Sequence, residues 1–303
     1  MSLARHPLHE SALLRVCRVC CRPHETACGG VEHSKVNALA FPLNGVFVKH
    51  HEGGPEVVAH AGQTLFFDAD EAYRVSHPAG GGDECLVFEW SDRTLRELIA
   101  QRDPSVADAP RASFPATHAA LAAATLLQQR LLWQRLRDGR GGALEIEERS
   151  LALCAAALAE ARPGMPRTQD RRPRVRQRRR EQACTTAVAL AAHPEAPWTL
   201  EGVARDVHAS PFHLARSFRE EFGESIHQYL LRARLAQAVG KVLDSDEPLT
   251  RLAMTLGFAT PSHFTAAFRA RYGVTPSALR RGGRPASARE LRTISTATRD
   301  RAR

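Results

Sequence analysis

Two stretches decide how this chain is read: ASPFHLARSFREEFG at residues 209–223 and ATPSHFTAAFRARYG at residues 259–273. Fifty positions apart, they share Ala, Pro, His, Phe, Arg and a closing Gly in register. Leu214, Phe218 and Phe222 in the first, and Phe264, Phe268 and Tyr272 in the second, fall at i, i+4 and i+8. Each trio forms one apolar face of a helix. Ser210-Pro211 and Thr260-Pro261 open the helices, because a hydroxyl caps a free N–H and proline suits the first helical position. Gly223 and Gly273 suit a left-handed helix stop.

A shorter apolar-faced segment precedes each copy. TLEGVARDVHAS (199–210) places Leu200, Val203, Ala204 and Val207 on one face, and PLTRLAMTLGFAT (248–260) places Leu249, Leu252, Ala253 and Leu256. Helix, tight turn and capped helix make a helix-turn-helix, here in tandem. Between the two runs SIHQYLLRARLAQAVGKVLD (225–244), opened by a capping box of Ser225 and Gln228. Its helix of about 19 residues would span about 28 Å at 1.5 Å per residue. Successive major-groove faces on one side of a duplex lie about 34 Å apart, so the spacing suits two reading helices on one rod. The alternative, an all-α bundle with a duplicated hairpin, leaves the polar faces of both helices unexplained.

The motifs SPFHLARSFREEFG (210–223), GFATPSHFTAAFR (257–269) and GVTPSALR (273–280) carry a resemblance. Residues 183–282 resemble the DNA-binding domain of the AraC/XylS (arabinose-regulator-like) transcription factors, whose closing G-x-x-P-x-x-x-R the last motif matches. The resemblance covers about a third of the chain. It implies base or backbone contacts from exposed residues near the start of each recognition helix: Ser210, Phe212, His213, Ala215, Arg216 and Arg219, then Thr260, Ser262, His263, Thr265 and Arg269. Arg216 suits a bidentate contact to guanine, whereas the Ala215 methyl suits a thymine methyl. Family members often carry Arg where Ala266 stands, so the second helix is expected to hold register, with Arg269 and Arg271 on phosphates. His213 and His263 fit packing or phosphate contact as well as base reading.

Upstream, GVFVKH, EVVAH, TLFFD, YRVSH and CLVFEW, between Gly45 and Trp90, read as strands separated by Gly- and Pro-containing breakers, a small barrel or sandwich. LFFDADEAYRVSHPAGGGDEC (65–85) gives residues 39–90 a weaker resemblance to the cupin-type sensor that precedes this DNA-binding domain in many members. Ser91 is placed to cap a helix through Ala100. Pro115–Asp138 and Leu144–Ala161 read as an αα-hairpin, a candidate dimer interface or simple packing against the barrel.

The fold class expected is therefore α+β and multidomain. A β-rich, cupin-like barrel with a helical hairpin (1–161) leads through an Arg-rich linker (162–182) to an all-α tandem helix-turn-helix (183–283). A disordered basic tail (284–303) follows. The net charge of +9 points to a polyanionic partner. Its placement is uneven: residues 162–180 hold nine Arg and one acid, whereas residues 184–283 hold eleven basic and nine acidic residues. A DNA-reading face must then rest on placement rather than bulk charge. The linker either adds salt-sensitive affinity or serves as a self-repelling spacer.

Seven cysteines fit a reducing cytoplasm. No secretion signal or membrane-spanning run is read, and no membrane partner is expected. Cys17, Cys20, Cys21, His24 and Cys28 crowd into twelve residues with a C-x2-C spacing that suits zinc. The competing reading is a strand, in which VCRVC alternates. His50, His51, His60 and His77 do not form the H-x-H-x(3–4)-E pattern that catalytic cupins resemble, and no P-loop, nucleophile elbow or dinucleotide motif occurs. No catalytic residue and no cofactor beyond zinc is assigned.

The reading is a cytoplasmic, sequence-specific transcriptional regulator that is not an enzyme. Its expected partners are double-stranded promoter DNA, a second copy of itself, a small-molecule effector at the N-terminal domain and RNA polymerase. The alternatives are a Cys-based metal- or redox-responsive regulator, an enzyme with a fused DNA-binding domain, and a signal-independent DNA binder.

Overall fold

The computed structural model describes residues 2–23, 29–51, 56–106, 109, 111–161 and 173–283. Residues 162–172 of the expected linker and the tail 284–303 lie outside them.

The N-terminal half is built from two antiparallel sheets. The larger contains β1 (Ser2–Glu10), β2 (Leu14–Arg22), β4 (Asn37–Asn44), β7 (Gln63–Phe67), β9 (Asp83–Trp90) and β10 (His118–Ala120), in the order β1-β2-β9-β4-β7-β10. The smaller contains β3 (Glu32–His33), β5 (Phe47–His51), β6 (Val57–Ala59) and β8 (Ala72–Ser76), in the order β3-β8-β5-β6. The five strands expected between Gly45 and Trp90 all form. Central β4 is buried on both faces over Asn37–Leu43, as a strand between two neighbours under a helical layer must be.

Two elements depart from the sequence reading. The first 22 residues are a hairpin, β1 paired with β2 from Ser2↔Arg22 to Glu10↔Arg15. β1 is an edge strand with a mostly exposed, polar sequence and a register shift between Pro7 and His9, so it shows no alternation of its own. Further on, the expected helix over 115–138 begins only at Ala123. Residues His118–Ala120 instead pair with Leu65–Gln63 at the other edge of the sheet. A tertiary strand partner outweighs the helix propensity of the alanines there.

α1 (Asp92–Ala100) is capped by Ser91, whose side chain accepts from the Thr94 N–H. α2 (Ala123–Arg137) and α3 (Ala143–Glu160) form the hairpin. Seven helices follow: α4 (Pro173–Ala192), α5 (Leu200–Asp206), α6 (Pro211–Phe222), α7 (Ile226–Asp244), α8 (Leu249–Thr255), α9 (Pro261–Tyr272) and α10 (Pro276–Gly283). α4 starts inside the stretch read as linker and continues into the C-terminal half.

The two halves share their apolar interior. One cluster joins Phe41 and Phe88 of the larger sheet, Leu126, Trp133 and Leu153 of the hairpin, and Val239, Phe264 and Phe268 of the tandem motif. A second joins Val46, Val48 and Val58 to Ala183, Ala187 and Leu190 of α4 and to Phe218 and Tyr229. Polar contacts run alongside. Gln134 Nε2 donates to the Leu243 carbonyl at 3.0 Å, and Arg137 pairs with Asp244 at 2.8 Å. One face of the helical hairpin is thus occupied within the same chain.

Candidate nucleic-acid interface and sensor cavity

The local signals read from the repeat all appear in the structure. Ser210 accepts from the His213 N–H at 3.3 Å, and Thr260 from the His263 N–H at 3.1 Å. Pro211 and Pro261 open α6 and α9; Gly223 and Gly273 close them in the left-handed region, at φ 73° and 76°. Leu214, Phe218, Phe264, Phe268 and Tyr272 are buried and Phe222 is half-buried. The preceding turns close alike, with the Ala209 N–H on the Ala204 carbonyl at 2.9 Å and the Phe258 N–H on the Ala253 carbonyl at 3.0 Å. The second turn is one residue longer. His208 takes the left-handed position of the first turn (φ 51°), where the second has Gly257 (φ 79°). The side chain of Gln182 donates to the carbonyls of Val207 and His208 and holds that strained turn.

α7 is opened by the expected capping box, with Ser225 accepting from the Gln228 N–H at 3.3 Å and the Gln228 side chain accepting from the Ser225 N–H at 3.0 Å. Two arginines fix its neighbours. Arg280 donates to the Val242 carbonyl at 3.1 Å and the Glu247 carbonyl at 2.8 Å, tying α10 to the end of α7. Arg234 donates to the Pro194 carbonyl at 2.5 Å and the Ala196 carbonyl at 3.0 Å, tying α7 to the end of α4. In the sequence both looked like surface charges; only the closing motif around Arg280 hinted at a fixed role.

The buried faces leave the expected contact residues outward. Phe212 is 72% exposed, the largest exposure of any large apolar side chain among the described residues. His213, Arg216 and Arg219 are exposed beside it, and Ala215 is half-buried. Arg216 forms an i,i+4 ion pair with Glu220 at 2.8 Å, both side chains exposed, so its guanidinium is held along the helix but stays within reach of solvent. Such a pair contributes little by itself, about 0.3–0.5 kcal/mol. On α9, Ser262, His263, Thr265, Ala266 and Arg269 are exposed, and all but His263 line a shallow groove that also includes Thr275. The His263 ring packs edge-on to Phe258 at 5.5 Å. Arg271 departs from its expected role. Its Nη2 donates to the Leu121 carbonyl at 3.3 Å, so it faces the N-terminal half rather than the groove side.

A helix-turn-helix domain model matches residues 203–282. The multiple antibiotic resistance protein MarA of Escherichia coli K12 is 33% identical over 86 residues, which is 28% of this chain and 68% of MarA. The regulatory protein PocR of Salmonella typhimurium is 34% identical over 89 residues, 29% of each chain. The chain belongs to the AraC/XylS family of transcriptional regulators. Among solved structures, ToxT from Vibrio cholerae aligns over 88% of this chain and 98% of its own, at 10% identity and a TM-score of 0.35. Among the described residues, no helix is long and apolar enough to cross a membrane.

In the regulator's N-terminal half, a cavity of about 530 Å³ opens between the sheets. Its wall is mostly apolar, with Val19, Phe47, Phe67 and Val75, and its polar lining includes Arg5, Arg15, Glu89 and Tyr73. Arg5 pairs with Glu89 at 2.6 Å. Burial pushes the Tyr73 hydroxyl up to about 12, with Glu32 adding to the effect. The histidines are engaged separately. His50 meets Ser76 at 2.7 Å, His51 pairs with Glu71 at 2.8 Å, His60 bonds the Ala61 carbonyl at 2.7 Å, and His77 meets Asp83 at 2.6 Å.

The cysteine cluster does not assemble as its spacing suggested. Cys17, Cys20 and Cys21 lie on β2, where successive side chains point to opposite faces. Cys17 and Cys21 are buried on the face shared with Val19, while Cys20 lies with Arg18 on the other, so the C-x2-C pair straddles the sheet. His24 and Cys28 lie outside the described residues. Burial, reinforced by Asp83, pushes the Cys21 thiol up to about 11 and the Cys85 thiol well above its ordinary value.

Proposed function

We propose that this regulator reads promoter DNA with α6 and α9 in two consecutive major grooves, and that a signal received by the N-terminal half controls that reading. The observation that carries the proposal is the pairing of two outward-facing recognition helices on one 19-residue helix, α7, whose ends are tied down by Arg234 and Arg280. A rod of about 28 Å suits helices bound one turn apart on one side of a duplex. α6 supplies sequence reading through Arg216 and the exposed Phe212. α9, with Ser262, Thr265 and Arg269 but Ala266 in place of a long donor, supplies register and phosphate contact.

The input is a small, largely apolar effector in the cavity between the sheets. The shared core gives it a route to the DNA-binding helices, because a shift at the smaller sheet moves Val46, Val48 and Val58 against α4 and Phe218. Two copies acting on paired sites would raise affinity through effective concentration, and contact with RNA polymerase would convert binding into control of transcription in the cytoplasm. Selection of bound DNA from a random pool by the full chain tests the reading. The expected outcome is a bipartite site with the better-defined half under α6. Recovery of unrelated sequences, with uniformly salt-sensitive binding, would refute it.

A further inference from the structure

On the side of the larger sheet that faces the smaller one, Cys21, His77 and Asp83 converge. One donor atom from each lies within 4.8 Å of the others, and all three residues are buried. They come from three places in the chain. Cys21 ends β2, Asp83 stands directly opposite it at the start of β9, and His77 follows β8 of the smaller sheet. The Asp83 carboxylate lies between two further contacts, with Oδ1 2.6 Å from His77 Nε2 and Oδ2 3.4 Å from Cys85 Sγ. Cys85 is buried too, two residues along β9 and therefore on the same face.

We propose that Cys21, His77 and Asp83, with Cys85 as the adjoining fourth donor, form a zinc-class divalent metal site that clamps the two sheets together. Thiolate, imidazole and carboxylate are the donor set zinc prefers, at bond lengths of about 2.0–2.3 Å. Two donors on one such ion can lie no more than about 4.6 Å apart, so a small contraction closes the cluster. Coordination replaces the protons now shared around the Asp83 carboxylate, and those protons leave to solvent. The surrounding backbone is close-fitting. A side chain on Gly82 would put its Cβ 2.1 Å from the Cys21 carbonyl oxygen, so only glycine lets the 77–83 turn press onto the end of β2. Cys21, Asp83 and Cys85 also line the cavity between the sheets, which provides the ion's entry path. This set differs from the one the C-x2-C spacing suggested: it keeps Cys21 and excludes Cys17 and Cys20.

The test uses the full chain purified without a metal-affinity tag, stripped with chelator and titrated with Co²⁺, then with Zn²⁺. The expected result is one cobalt per chain with thiolate-to-cobalt charge-transfer absorption, displaced by zinc. Cys21→Ser abolishes that absorption, whereas Cys17→Ser and Cys20→Ser leave it unchanged. Should Cys21→Ser fail to fold by circular dichroism, Asp83→Asn keeps the side-chain shape and is expected to lose the signal too. Absence of charge-transfer absorption in the parent chain, or its survival in both Cys21→Ser and Asp83→Asn, overturns the site. Loss in Cys17→Ser or Cys20→Ser with retention in Cys21→Ser overturns it as well. The measurement involves no DNA, so its outcome is independent of the DNA-reading proposal.

Discussion

The guanidinium of Arg130, on α2, lies where a side chain at Gly240, on α7, would begin. A Cβ built on Gly240 would meet Arg130 Nη1 at 3.3 Å. Arg130 is itself buried and donates through Nη2 to the Leu43 carbonyl at 2.7 Å, so one side chain joins the end of β4, the hairpin and the rod between the recognition helices. The absence of a side chain at Gly240 is what lets a buried arginine fit between the two halves.

That fit can be probed at Gly240. Ala adds helix propensity worth about 0.8–1 kcal/mol and presses on a guanidinium that can give slightly, so Gly240→Ala should stay within about 1 kcal/mol of the parent. Gly240→Leu cannot be accommodated without moving Arg130 and should cost about 1–3 kcal/mol. Urea denaturation of both variants checks this; equal stability of the leucine variant would contradict the packing.

Arg216→Ala removes the long donor of α6 and leaves Glu220 unpaired at the surface. Specific affinity should fall about tenfold to a hundredfold, matching about 1–3 kcal/mol, and discrimination at one base pair should relax. Arg269→Ala should weaken binding evenly across sequences and lower the salt slope by about one. Fluorescence anisotropy on matched and mismatched duplexes at several salt concentrations separates the two.

Thr260→Ala deletes the hydroxyl that accepts from the His263 N–H at the start of α9. The loss should be about 1 kcal/mol of stability, with weaker DNA binding because the first turn of α9 carries Ser262 and His263. Thr260→Ser, which keeps the hydroxyl, should restore both in thermal melts and binding assays.

His60 gives a pH dependence. Burial, together with the positive Arg232 nearby, lowers its pKa from the model-peptide 6.5 to about 3, and its ring packs edge-on to Tyr229 of α7 at 5.2 Å. The unfolded chain therefore binds a proton that the folded chain excludes. Stability is full above about pH 6.5 and falls as pH drops from there toward 3. His60→Gln should flatten that part of the stability curve measured by urea denaturation at successive pH values. An unchanged slope would mean that His60 is not the group responsible.

Legibility differed between the two halves for a physical reason. In residues 199–283 the signals are local. A hydroxyl three residues before the N–H it caps, a proline at the first helical position, a glycine at the stop and an apolar trio at i, i+4, i+8 all lie within one helix, so they can be read without knowing what packs where. The strands from Phe47 to Trp90 were legible by β-branched and aromatic content. The edge strand at Ser2–Glu10 was not, because an edge exposed to solvent carries no apolar alternation.

The sequence alone determined the tandem helix-turn-helix, its helix boundaries and the outward face of Arg216, since each depends on contacts within a few residues. Only the tertiary structure decided that His118–Ala120 pairs as a strand, that Arg271 turns toward Leu121, and that Arg130 fills the gap at Gly240. It also decided that Cys21 joins His77 and Asp83 rather than Cys17 and Cys20. Each of these depends on a partner far away in the chain, and no local pattern records where that partner lies.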